Sequence, residues 1–136
     1  MKERTMLGAK EIRNVLVIED DKNTVDILSR ALAREGFRVT MALNMEDALK
    51  DFERLDYALV ITDIFMAGMG GIKGIQEMRR MRPEAKILAT SAGYSEMTPE
   101  AALKAAERIG ADAILAKPFT LDALRAAVTR FFPAES

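Results

Sequence analysis

Short apolar runs alternate along the chain with longer segments in which apolar residues recur at helical spacing. The short runs are rich in β-branched residues and predict strands at 14–19, 37–42, 57–63, 86–91 and 113–116. The longer segments predict a helix after each strand, because their apolar residues fall on one face. Strict alternation of strand and helix is typical of a parallel sheet whose right-handed crossovers place helices on both faces. The pattern therefore predicts an α/β domain with five strands and five helices.

Residues that favour helix ends support these bounds. The caps and stops are Gly36 after the first helix (22–35), Asn44 before the second, Pro83 after the third (to about 81), Thr98-Pro99-Glu100 and Gly110 around the fourth, and Thr120 before the last. The last helix runs to Pro133 and is predicted to bury Leu121, Leu124, Val128 and Phe131. The second strand carries Arg38 and Thr40 and is predicted to lie near an edge of the sheet.

The composition fits one globular domain and excludes several kinds of chemistry. The 136 residues are 49% hydrophobic and 30% charged, and the formal net charge is -1. With no cysteine and no histidine, the chain lacks a disulfide framework and the commonest metal ligand and general base. A metal here is therefore expected to be a hard cation bound by oxygen atoms. No run of Lys or Arg marks a nucleic-acid surface.

The hydropathy and the terminal segments predict a cytoplasmic protein. No apolar stretch approaches the roughly 20 residues that span a bilayer, so membrane insertion is not expected. The first 13 residues are polar and charged, unlike a signal peptide. We expect an N-terminal extension at 1–13, the folded domain at 14–132 and a C-terminal tail at 133–136.

Polar residues stand where four of the predicted strands end. Glu19 and Asp20 lie at the end of the first strand, Asp63 ends the third, Ser91 ends the fourth, and Lys117 follows the fifth. The carboxyl ends of parallel strands share one edge of the sheet, where doubly wound domains bind ligands. Three carboxylates without histidine or cysteine fit an Mg²⁺ site. With the lysine and the serine they form a receptacle for a phosphoryl group, and Asp63, alone at its strand end, is the predicted nucleophile.

These residues also have simpler structural explanations. The acidic run 19–21 could cap the first helix, and Asp21 is expected to do so. Asp63 alone could be a turn residue, and Thr90 competes with Ser91 for its role. The functional interpretation is favoured because the acidic run, Asp63 and a lysine arise independently at the same edge.

Four motifs lie along the chain in order: Glu19-Asp20-Asp21, Asp63 with Met66, Gly68 and Gly71 behind it, Ser91-Ala92, and Lys117-Pro118-Phe119. Together they resemble the response-regulator receiver domains of two-component signalling. The resemblance covers about 14–132, nearly the whole chain. It implies a flavodoxin-like, three-layer fold with a doubly wound five-stranded sheet of order 2-1-3-4-5.

The resemblance also implies roles for the residues at the sheet edge. Asp63 would accept a phosphoryl group from a phosphohistidine of a sensor histidine kinase or a histidine phosphotransfer protein. Mg²⁺ would be bound directly by Asp20, Asp63 and the backbone carbonyl of Phe65, and Glu19 would act through water.

Ser91 and Lys117 would hold the phosphoryl oxygens, and Ser91 would also take part in switching. Three features depart from the family pattern. Ala67 stands where receivers usually have proline, and Ile114 stands where the switch aromatic is expected. The segment 93–98 is longer than expected.

The predicted function is a phosphorylation-dependent signalling switch that acts through protein–protein contacts. It is not expected to be an enzyme beyond its own phosphotransfer and dephosphorylation. A downstream protein effector and a homodimer through the last helices are the further partners considered. Because no effector domain follows Ser136, the chain is expected to act through separate partners or to be part of a longer protein.

Two alternatives stay open. One is an Mg²⁺-dependent phosphohydrolase with an aspartyl-phosphate intermediate. Such enzymes usually carry a second acid two residues after the nucleophile, where this chain has Phe65. The other is a receiver-like interaction module that is not phosphorylated.

Overall fold

Strands that are apolar on both faces form the centre of the fold. The computed structural model describes residues 12–64, 70–91 and 98–132, without the side chains at 99, 102 and 103. Five parallel strands pair in the order β2-β1-β3-β4-β5. The strands are β1 (Arg13–Ile18), β2 (Phe37–Ala42), β3 (Leu59–Asp63), β4 (Ile87–Ser91) and β5 (Ala113–Ala116). This confirms the predicted fold class and places β2 at an edge, as its polar residues indicated.

A helix follows each strand along the chain. The helices are α1 (Lys22–Arg34), α2 (Met45–Arg54), α3 (Gly71–Met81), α4 (Pro99–Ile109) and α5 (Leu121–Phe131). No helix in the described part of the chain is long and apolar enough to cross a membrane.

Alternate residues of the central strands divide between two hydrophobic cores. One core joins the sheet to α1 and α5, and the other joins it to α2, α3 and α4. Their fully buried strand residues include Val15, Val17, Leu59 and Leu88 in the first, and Leu16, Ile18, Val60 and Ile87 in the second. Because a slip of one residue would exchange these two sets, the burial fixes the register and hence the positions of the strand ends.

Polar side chains cap the N-terminal ends of four of the described helices, as predicted. The side chains of Asp21, Asn44, Thr98 and Thr120 each accept a hydrogen bond from a backbone N–H in the first turn of α1, α2, α4 and α5. Gly36 and Gly110 follow α1 and α4 with φ angles of 96° and 88°. Glycine adopts this left-handed conformation with the least strain, which explains why both helices end there.

Two predictions from the pattern were wrong in detail. Tyr57 lies before β3 rather than within it, yet it is buried and its ring stacks on Phe52 with 6.5 Å between centroids. In the sequence pattern, a buried aromatic residue of a loop cannot be distinguished from a buried residue of the strand that follows it. Leu121 is 46% exposed, whereas Leu124 and Val128 are buried as predicted. Leu121 is the first residue of α5, and helical side chains lean toward the N-terminus, where no further turn covers it.

Several predicted features lie outside the described residues. They include most of the N-terminal extension, the tail at 133–136, the loop 65–69 with Phe65 and Ala67, and most of the long segment after Ser91. The predicted domain boundaries stay predictions.

Candidate functional site

Parallel pairing brings the carboxyl ends of four strands to one edge of the sheet. In the observed register, Ile18 is level with Thr62, and Asp63 is level with Thr90. The ends of β4 and β5 are also level, because Ser91 pairs with Ala116. The residues that follow β1 and β5 therefore meet the ends of β3 and β4.

Lys117 connects three of these strand ends. Its Nζ lies 2.8 Å from Glu19 Oε1 and 3.0 Å from Asp63 Oδ2. Its backbone N–H donates to the Ser91 carbonyl at 3.0 Å, and the Lys117-Pro118 peptide bond is cis. Glu19 and Asp63 are only 3% and 8% exposed. The ammonium therefore binds two nearly buried carboxylates, where salt screens the attraction less than at an open surface.

Glu19, Asp20 and Asp63 form one acidic group. Each offers a carboxylate oxygen, and these three oxygens lie within 4.8 Å of one another. Asp20 is exposed, whereas the other two are buried. Oxygen ligands of this kind suit Mg²⁺, so the donor set fits the predicted cation. The neighbouring Asp21 has a different task, because its carboxylate accepts hydrogen bonds from the backbone and hydroxyl of Thr24 and caps α1.

Burial and hydrogen bonding oppose each other at this site. Burial raises the pKa of the Glu19 carboxyl group, and its hydrogen bonds with Lys117 and the Asp21 N–H offset only part of that effect. Burial alone would lower the pKa of the Lys117 ammonium, but its hydrogen bonds to Glu19 and Asp63 outweigh it and raise the pKa. Lys117 is therefore positively charged at neutral pH, directly beside Asp63.

Two further predicted residues, Ser91 and Ile114, lie in β4 and β5. Ser91 ends β4 and is fully buried. Ile114 lies in β5, level with Ala89, and packs against the core beneath α2, α3 and α4. Its role in switching stays a prediction, and Phe65 lies outside the described residues.

The sequence pattern did not indicate how closely α3 approaches β3. The Gly71 N–H donates to the Ile64 carbonyl at 2.9 Å. This amide therefore already has an acceptor within the protein. A Cβ at Gly71 would overlap the Asp63 carbonyl oxygen and would lie 2.6 Å from Ile64 Cα. The pair of glycines at the start of the predicted helix is the sequence feature that could have indicated this close approach.

Gly71→Ala is expected to destabilise the protein and disturb the site, because the new methyl group meets backbone rather than a flexible side chain. We expect a loss of about 2 kcal/mol in the free energy of unfolding, the size of a core overpacking effect. Gly70→Ala is the matched control, because a Cβ there meets nothing within 4 Å. Urea unfolding measures both, and equal stabilities of the two variants would contradict the steric argument.

The fold and the site together define the class of this domain: a flavodoxin-like α/β protein with an acidic group and a lysine at the carboxyl edge of its sheet. The family model of the response regulator receiver domain matches residues 15–129. The chain belongs to this family.

Curated relatives include a short protein and longer ones. The chain is 33% identical over 124 residues to the probable chemotaxis protein CheY of Rhizobium etli, covering 88% of this chain and 92% of that protein. It is 35% identical over 125 residues to the regulatory protein AtoC of Escherichia coli, covering 92% of this chain. The chain spans only 26% of AtoC, so similarity to AtoC concerns one part of that protein.

Solved structures agree with the fold. The response regulator TrrA of Thermotoga maritima, in complex with Mg²⁺ and BeF, has a TM-score of 0.75 and 31% identity, covering 88% of this chain and 99% of that chain. The chemotaxis protein CheY4 of Vibrio cholerae has a TM-score of 0.79 at 23% identity, covering 90% of this chain and 100% of that chain. The second similarity supports the fold alone.

Proposed function

We propose that the chain is a phosphorylation-dependent signalling switch in which Asp63 accepts the phosphoryl group. The receiver domain family to which it belongs is a family of signalling switches rather than of classical enzymes. The observation that carries the proposal is the contact of 3.0 Å between Asp63 Oδ2 and Lys117 Nζ, within an acidic group that fits Mg²⁺.

In the proposed step, a carboxylate oxygen of Asp63 attacks the phosphorus of a phosphohistidine. A new O–P bond forms, the P–N bond to the donor imidazole breaks, and that nitrogen keeps the electron pair. The Lys117 ammonium lies where it would neutralise charge on the phosphoryl oxygens. The Ser91 hydroxyl, at the end of the adjacent strand, would donate to another of them.

We place Mg²⁺ on Asp20, Asp63 and the backbone carbonyl of Phe65, with Glu19 acting through water. The carboxylate oxygens of the three acids are close enough to share one ion. When bound, Mg²⁺ supplies positive charge against the phosphoryl oxygens. The related TrrA structure is a complex with Mg²⁺ and BeF, which supports Mg²⁺ as the cation proposed for this site.

The partner that donates the phosphoryl group would approach beside Lys117. An open, mainly apolar pocket of about 370 Å³ lies there, lined by Thr24, Ile27, Leu28, Lys117, Pro118 and Phe119. Ile27 is 55% exposed, so the pocket offers apolar surface to a partner. A sensor histidine kinase or histidine phosphotransfer protein is the proposed occupant. Contacts with a downstream effector, or a homodimer through α4 and α5, would carry the signal onward, and a cytoplasmic location stays a prediction.

Incubation with acetyl phosphate and Mg²⁺, followed by intact-mass measurement, tests the function. We expect the mass to rise by one phosphoryl group, and we expect no adduct to form when EDTA is present from the start of the incubation. Absence of an adduct would favour an interaction module that is not phosphorylated. Rapid turnover of a generic phosphate ester that is lost in Asp63→Ala would favour the phosphohydrolase.

A further inference from the structure

Thr62 brings a hydroxyl group into a strand that is otherwise apolar up to Asp63. It is 0% exposed, and by alternation it shares a face of β3 with Val60, on the side of α2, α3 and α4. A buried hydroxyl costs free energy unless it is hydrogen-bonded. Valine has nearly the same shape and needs no partner, so packing alone does not call for threonine here.

The Thr62 hydroxyl holds the backbone of its neighbour. Thr62 Oγ1 donates to the Asp63 carbonyl oxygen at 3.0 Å. The same oxygen lies against Gly71, where an added Cβ would overlap it, and the first turn of α3 is itself fastened to Ile64 by the Gly71 N–H. The peptide that follows Asp63 is therefore held by a hydroxyl group and by the start of α3.

We propose that Thr62 is a positioning residue for Asp63. By fixing the carbonyl group of Asp63, its hydroxyl fixes the backbone from which the carboxylate extends toward Lys117 and the other two acids. The effect on phosphorylation rests on the proposed function, whereas the effect on cation binding requires only the observed acidic group. A reacting group displaced by about 1 Å can lose on the order of 10²-fold in rate, so a smaller shift is expected to cost about tenfold.

Two substitutions at this position separate the hydroxyl from the packing. Thr62→Val keeps the volume and removes the hydrogen bond, whereas Thr62→Ser keeps the hydroxyl and removes a buried methyl group. Thr129→Val is the control, because Thr129 Oγ1 also donates to a backbone carbonyl, that of Arg125, in the exposed part of α5. Each variant is compared by its phosphorylation rate with acetyl phosphate at saturating Mg²⁺, by calorimetric titration with Mg²⁺, and by thermal unfolding.

We expect Thr62→Val to be phosphorylated about tenfold more slowly and to bind Mg²⁺ more weakly, while Thr62→Ser and Thr129→Val match the wild type within about twofold. Thermal stability should rank the two Thr62 variants the other way. Thr62→Ser should unfold at a lower temperature than Thr62→Val, because serine leaves a small cavity in the core. A Thr62→Val protein with wild-type rate and Mg²⁺ affinity would overturn the proposal, as would a serine variant as impaired as valine. If the wild type binds Mg²⁺ but takes no phosphoryl group, the proposed function fails and the Mg²⁺ affinities alone decide the role of Thr62. A wild type that binds no Mg²⁺ would overturn both.

Discussion

Asp63→Asn is expected to abolish the phosphoryl adduct formed with acetyl phosphate and Mg²⁺. The asparagine side chain has nearly the same shape, and its carbonyl oxygen can still accept a hydrogen bond from Lys117, which lies 3.0 Å from the carboxylate. An amide oxygen is not an effective nucleophile, so the loss reflects chemistry rather than misfolding. Because the substitution removes one of three crowded carboxylates, we expect the thermal stability without metal to be maintained.

The control for this experiment is Asp26→Asn, which changes an exposed aspartate on α1 that pairs with Arg30. It should form the adduct like the wild type. An adduct that persists in Asp63→Asn would show that another residue accepts the phosphoryl group, and peptide mapping of that adduct would identify it.

Lys117→Met is expected to make the stability of the protein depend much more strongly on Mg²⁺. Without the ammonium, the nearly buried Glu19 and Asp63 lose their positive partner. Breaking a fully buried pair costs 3–5 kcal/mol, and because Lys117 is partly exposed we expect about 2 kcal/mol in the absence of metal. Mg²⁺ bound at the proposed site should restore most of this loss, since ligand binding stabilises the folded state that binds it.

Thermal unfolding with EDTA and with increasing Mg²⁺ measures this effect. Lys50→Met is the control, because Lys50 is exposed on α2 and the substitution removes the same charge from a helix. The rise in the unfolding midpoint with Mg²⁺ should be larger in Lys117→Met than in the control or the wild type. An equal rise in all three proteins would contradict the inference that the Lys117 ammonium supplies part of the positive charge that Mg²⁺ would otherwise provide beside Glu19 and Asp63. We also expect phosphorylation of Lys117→Met to be strongly slowed.

Much of the fold was predictable because its strongest determinants are local. The bounds of β2 and β5 agree with the prediction to the residue, and the caps at Asn44, Thr98 and Thr120 are as predicted. Such features depend on side chains within one turn of the helix or on alternation within one strand. Tyr57 and Leu121 were placed wrongly because their burial depends on what covers them in the tertiary structure.

The composition of the site was also predictable, but its detailed contacts were not. Parallel topology alone was sufficient to bring Glu19, Asp63 and Lys117 to one edge. The close approach of Gly71 and the hydrogen bond from Thr62 depend on how α3 packs against the end of β3, over distances of tenths of an ångström. Periodicity carries no information at that scale. The assignment of metal ligands and of the switching residues remains a prediction.

The net charge at the carboxyl edge of the sheet affects how readily an anion can approach it. Three carboxylates and one ammonium leave two surplus negative charges at the sheet edge when all four groups are ionised. Under the proposed function, a phosphoryl donor, itself an anion, would be repelled until a divalent cation cancelled that surplus. Under the proposed function, phosphorylation should then require both the donor and Mg²⁺, and its extent should rise with the occupancy of the cation site.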